Sequence, residues 1–100
     1  MKLDRRPEML VRLRKRDGDR CFYCRTLMDF ATPGLPNSVT IEHLIPRTDR
    51  GGNRMVNLVL AGSACNTWVG HEVDEKPHKG IVDKIALREF WPCNAPRCTP

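Results

Sequence analysis

Five cysteines, one Glu–His pair and two asparagines are the residues of this chain whose types and spacing can do chemistry. Cys21 and Cys24 form a C-x-x-C around Phe22 and Tyr23, Cys65 follows 41 positions after Cys24, and Cys93 and Cys98 lie near the end. Two thiolates separated by two residues on a tight turn can share one tetrahedral zinc ion. A thioredoxin-like redox pair fits poorly, because no βαβ pattern surrounds the C-x-x-C. Glu42 and His43 are adjacent. The carboxylate is a hard oxygen ligand for a divalent ion, and the imidazole is a general base. Asn57 comes back towards His43 across a strand–loop–strand, where its amide can fix the base. Asn66 opens the next helix and offers a second oxygen ligand. Taken one at a time these are a structural histidine and turn or cap asparagines. Their joint order and spacing is what singles them out.

The elements that must position these groups follow from local pattern. Pro7 fits the first turn of a helix, with Asp4 or Arg6 near its cap. Met9, Leu10 and Leu13 share one face of it, and Asp17-Gly18-Asp19 ends it. Arg20–Cys24 reads as a strand entering the cysteine knuckle, and residues 29–38 as a loop with two prolines. Val39–Leu44 and Val56–Ala61 read as strands, separated by a polar loop holding Gly51-Gly52. Strand alternation points Glu42 and His43 to opposite sides, and a break at Pro46 can swing both to one edge. A short helix is predicted from Ala64 to about Val69, and a last one from about Pro77 to Phe90. The tail from Trp91 has three prolines and no regular pattern.

Charge is uneven. The chain of 100 residues carries 17 Lys+Arg against 12 Asp+Glu, and residues 1–25 hold nine of the bases and four of the acids. The whole excess of +5 therefore sits in the first quarter. Such a local excess is the footprint of a polyanion partner, or else one solvated helix face. Few bulky apolar residues are interleaved with the arginines, which disfavours a membrane surface. No apolar run approaches the roughly 20 residues of a membrane span, and Met1–Arg6 does not begin a secretory signal. A reducing cytoplasm is therefore expected, and an odd cysteine count agrees. At this length the core alone is marginal, so a structural metal matters.

The run Arg16–Cys24 (R-D-G-D-R-C-x-Y-C), then Glu42-His43-x-Ile45-Pro46, Gly51-Gly52, Asn57-Leu58-Val59-Leu60-Ala61 and Cys65-Asn66 resembles the HNH endonucleases, the ββα-metal nucleases. The likeness covers about residues 14–70 and is greatest to small stand-alone proteins of phages and prophages. It implies an α+β fold, a single domain over 1–100: a treble-clef-like ββα-metal unit with an N-terminal basic helix, a zinc knuckle, and a C-terminal helix and tail over about 77–100. It implies His43 as the general base for phosphodiester hydrolysis and Asn57 as the residue that orients it and supports the loop. Glu42, where the family more often has Asp or His, and Asn66 hold one catalytic divalent ion (Mg, Mn, Ni or Zn). His71 lies where some members place a third metal-binding histidine, one position off the usual i, i+4 register. Arg12, Arg14, Lys15, Arg16 and Arg20 are the expected contacts to the DNA backbone.

Zinc-containing members have two C-x-x-C knuckles, and the second pair here falls on positions 62 and 65. Position 62 is Gly62. Cys21, Cys24 and Cys65 are therefore three expected structural zinc ligands. Cys93 or Cys98 returns from the tail as the fourth, or a water or histidine completes the site, or the cysteines are small buried hydrophobes without zinc. The expected function is a metal-dependent DNA endonuclease of low sequence specificity, phage-encoded, acting in a bacterial cytoplasm, in homing or beside a packaging terminase. The alternative is a catalytically decayed, zinc-stabilised DNA-binding module.

Overall fold

Proline at its first position and an acidic residue, Glu8, in its first turn start helix α1, Pro7–Asp17. Its preset φ and missing donor suit Pro7 to this place. Gly18, at φ 87, ends the helix and returns its N–H to the Arg14 carbonyl. The computed structural model describes residues 5–45, 52, 54–74 and 83–98. Gly51, Pro46 and His78, all singled out in the sequence, lie outside them.

Three β-branched residues, Val39, Thr40 and Ile41, carry strand β1, Val39–His43. It pairs antiparallel with β2, Leu58–Gly62, in a register that sets Glu42 against Val59 and His43 against Leu58. The two-stranded ribbon alone would be marginal. It is stabilised by having both edges occupied. Arg5 donates to the Val39 carbonyl at 2.9 Å on one edge. On the other, Phe22 N–H reaches the Leu60 carbonyl at 2.9 Å, and Arg16 reaches the Met55 and Leu58 carbonyls at 2.7 Å each. Filling the edges this way removes an open template for strand pairing.

Helix α2, Ser63–Val69, follows β2 directly. No side chain caps it; the Ser63 and Ala64 N–H groups go to the carbonyls of Ser38 and Pro36. A π-helical turn, Gly70–Asp74, extends it. Helix α3, Lys84–Glu89, is capped by the Asp83 carboxylate, which accepts from the Ile85 and Ala86 N–H groups. Leu13, Tyr23, Val39, Ile41, Leu58, Leu60 and Val69 form one buried cluster with Cys21, Cys65 and Cys98. Trp68 and Trp91 pack against it, their rings 5.2 Å apart, and Trp91 stacks on Tyr23 at 4.7 Å.

Three local readings shift. Arg20–Cys24 is not a strand: Arg20 makes a single bridge to Leu27, and Phe22–Cys24 turn. The turn is forced by the cysteines having to face one point. The second strand starts at Leu58, because Met55–Asn57 coils into a 3-10 turn that ends the loop. Within the described residues the last helix begins at Lys84, where Asp83 caps it.

Candidate functional site

The cysteine cluster is built from three separate segments. Cys21 and Cys24 lie on the knuckle turn after α1, Cys65 in the first turn of α2, and Cys98 in the tail. Their four sulfurs all lie within 4.8 Å of one another. A tetrahedral zinc ion with bonds of about 2.3 Å holds sulfurs about 3.8 Å apart, so this donor set fits such an ion. Among the described residues it is the group of three or more His, Cys, Asp or Glu donors close enough to hold a metal. All five cysteines are free of disulfides.

Backbone donors reach two of the four sulfurs. The Gly62 N–H donates to the Cys21 sulfur and the Cys98 N–H to the Cys24 sulfur, each at 3.3 Å. Hydrogen bonds from Cys65 and Cys98 pull the Cys21 thiol far below its ordinary value. The Cys65 and Cys98 thiols are pushed up, first of all by their bonds with Cys21. A dication at the centre would favour the thiolate form of all four.

Cys98, not Cys93, is the fourth member. Cys98 is fully buried, with its sulfur 3.3 Å from that of Cys65, whereas Cys93 is exposed. Gly62 makes this possible. Its φ of -68 and ψ of 151 are open to any residue, so the demand is for space. A Cβ there would overlap the Cys98 sulfur and lie 2.9 Å from the Cys98 Cβ.

The strand end holds the second group of predicted residues. Asn57 is 8% exposed and fully used. Its Oδ1 accepts from the Ile45 N–H at 2.8 Å, and its Nδ2 donates to the Ile45 and Gly52 carbonyls at 3.0 and 2.8 Å. One amide thus clamps both ends of the loop that follows His43. His43 itself is half-buried at the last position of β1. β1 includes both residues, and strand geometry turns neighbouring side chains to opposite faces. Asn66 donates to Thr40 Oγ1 at 2.8 Å and to the Ile41 carbonyl at 3.3 Å, tying α2 to β1. His71 is exposed on the π-helical turn.

Glu42 faces inward and is 5% exposed. The Tyr23 hydroxyl donates to its Oε2 at 3.0 Å, and the Lys84 ammonium lies 3.5 Å from its Oε1. Lys84 also donates to the His43 carbonyl at 2.8 Å. Both carboxylate oxygens thus already face donors, a phenol hydroxyl and an ammonium. Tyr23 and Lys84 were not among the residues picked from the sequence. Tyr23 sits inside the C-x-x-C, which could have marked it; a lysine opening a helix gives no such signal.

The basic residues divide by role. Arg14 pairs with Asp19 at 2.7 Å and lies over the Phe30 ring at 4.0 Å. Arg16 pairs with Asp17 and holds the edge of β2. Both therefore serve the fold. Arg12 and Lys15 are exposed on α1. Arg16 and Arg20 also line a cleft of about 560 Å³, joined there by Arg25 and Arg88, with Leu44 and Val56 on its apolar side.

No family model, no curated protein and no solved structure matches this chain. The fold and site define a small α+β protein with, among the described residues, a two-stranded sheet, three α-helices and a four-cysteine cluster that can hold a metal ion such as zinc. No helix among the described residues is long and apolar enough to cross a membrane.

Proposed function

We propose that this chain is a zinc-stabilised DNA endonuclease of the HNH type, hydrolysing phosphodiester bonds with low sequence specificity. The observation that carries this reading is the Asn57 clamp on the loop directly after His43. A general base must keep its direction while a water is deprotonated, and a loop pinned at both ends gives it a fixed mount. His43 takes the proton of the attacking water. The arginine-lined cleft beside Leu44 draws in the phosphate backbone, contributing affinity and salt dependence rather than sequence choice. The cysteine cluster ties the tail, the knuckle and α2 into one body at the Gly62 end of the ribbon, opposite His43. A phage-encoded role in homing, or in packaging beside a terminase, and a bacterial cytoplasmic setting belong to the same proposal.

A second reading is favoured by the Glu42–Lys84 pair. A carboxylate already met by an ammonium suits a zinc-stabilised DNA-binding module that no longer cuts. Supercoiled plasmid separates the two. Incubation with Mg²⁺, Mn²⁺ or Ni²⁺ should give nicked or linear product with the native chain and none with His43→Ala, while both variants shift the DNA in a gel. A mobility shift without cleavage under every metal contradicts the endonuclease and supports the binder.

A further inference from the structure

The fold places Lys84, the first residue of α3, in the interior. Its side chain is 1% exposed and that of Glu42 is 6% exposed. A charge removed from water this far persists only with a partner. Among the described residues the ammonium meets Oε1 of Glu42 at 3.5 Å and the His43 carbonyl at 2.8 Å. A carboxylate and a backbone carbonyl are the ligands that a hard divalent cation selects. Tyr23 holds the other carboxylate oxygen. The Asp83 cap fixes the turn of α3 from which Lys84 projects, and Arg88 anchors the far end of α3 by donating to the Phe22 carbonyl at 2.6 Å.

We propose that Lys84 is the resident cation of the Glu42–His43 strand end, and that its ammonium and a divalent ion exclude one another from that seat. Two cations sharing one carboxylate in a water-poor site repel each other strongly, so the two occupants cannot coexist. The lysine then does three things for the chain. It balances the buried carboxylate, holds the backbone of His43 in place, and closes the oxygen ligands to metal.

The expectation of an ion at Glu42 comes from the nuclease reading, but the readout is ion binding. An inert protein that passes the test and a cleaving one that fails it are therefore told apart. The zinc-loaded chain is titrated with Mn²⁺, and the free-ion signal is followed by electron paramagnetic resonance. Without DNA, the native chain should show no stoichiometric site at Glu42. Lys84→Met, which keeps the aliphatic stem, should gain a one-to-one site at least about tenfold tighter than any native binding. Glu42→Gln added to Lys84→Met should abolish it. A Lys84→Met chain that folds, as judged by its zinc content, and gains no site overturns the proposal. A measurement on the native chain guards against a variant that fails to fold. Mn²⁺ should leave the nuclear resonance signals of Glu42 and the Lys84 side-chain tip sharp, and selective broadening of both overturns the proposal as well.

Discussion

A Cβ on Gly62 would occupy the space of the Cys98 sulfur and stand 2.9 Å from the Cys98 Cβ. The glycine and the tail cysteine are therefore two halves of one device. Where a second C-x-x-C would place its first thiolate, this chain leaves a gap, and a cysteine 36 residues further on fills it. The cluster consequently fastens the tail to the sheet, which a ligand at position 62 could not do.

Gly62→Ala should therefore strike the metal site rather than the strand. Its backbone dihedrals suit alanine, but the added methyl meets Cys98 and lies 3.3 Å from the Pro36 carbonyl. Zinc affinity, read by competition with a chromophoric chelator, should fall at least about tenfold, and the melting temperature with it. Gly62→Cys combined with Cys98→Gly restores four thiols and vacates the overlapping space, so it should recover zinc binding better than Cys98→Gly alone.

Asn57 is asked to satisfy one donor and two acceptors at once. Asn57→Ala leaves those buried backbone groups unpaired and should cost about 1–3 kcal/mol of stability. Asn57→Asp should do at least as much harm, because a carboxylate then faces two carbonyls. Denaturant unfolding of the zinc-loaded protein checks both, and faster amide exchange at Ile45 should accompany the loss.

Breaking the Glu42–Lys84 pair from one side should be worse than removing it whole. Glu42→Gln strands a buried ammonium and should cost about 3–5 kcal/mol. Glu42→Gln with Lys84→Met removes the stranded charge and should recover much of that. A double-mutant cycle by urea unfolding measures the coupling, and additive single effects would show that the pair does not act as a unit.

Acid should unfold the protein through its metal before its carboxylates. Hydrogen bonds from the Thr32 and Ala31 N–H groups lower the Asp29 carboxyl, and the bond from Arg14 lowers that of Asp19. A carboxyl depressed in the folded state contributes stability above its unfolded value, near 3.9, and loses it only as pH falls through the folded value. Protons compete for all four thiolates at higher pH than that. Asp29→Asn and Asp19→Asn should thus leave the acid midpoint, followed by circular dichroism, unchanged and coincident with zinc release. A midpoint moved by either substitution would assign acid unfolding to the carboxylates.

Much of this arrangement was legible in the residues. Periodic apolar positions and Pro7 marked α1, and the β-branched Val39, Thr40 and Ile41 marked β1. Cys21 and Cys24 stand out by their spacing, and Cys65 by the resemblance to two-knuckle zinc proteins. The choice of Cys98 over Cys93 was not legible, because nothing local says which way an irregular tail folds back. The knuckle was misread as a strand because Phe22 and Tyr23 have strand propensity, and the convergence of four sulfurs overrides it. The burial of Lys84 was invisible for a different reason. Its partner lies 42 residues away, and only tertiary packing brings a carboxylate to it. Arg14 and Arg16 read as free positive charge, yet neighbouring acids and strand-edge carbonyls claim them.

The four-cysteine centre on which the whole arrangement rests is tested most directly by X-ray absorption at the zinc edge, on native protein and on Cys98→Ser and Cys93→Ser. One zinc per native chain with four sulfurs at about 2.3 Å, kept in Cys93→Ser and reduced to three in Cys98→Ser, is the predicted result. A native chain without zinc, or a shell with nitrogen or oxygen in place of the fourth sulfur, would contradict it.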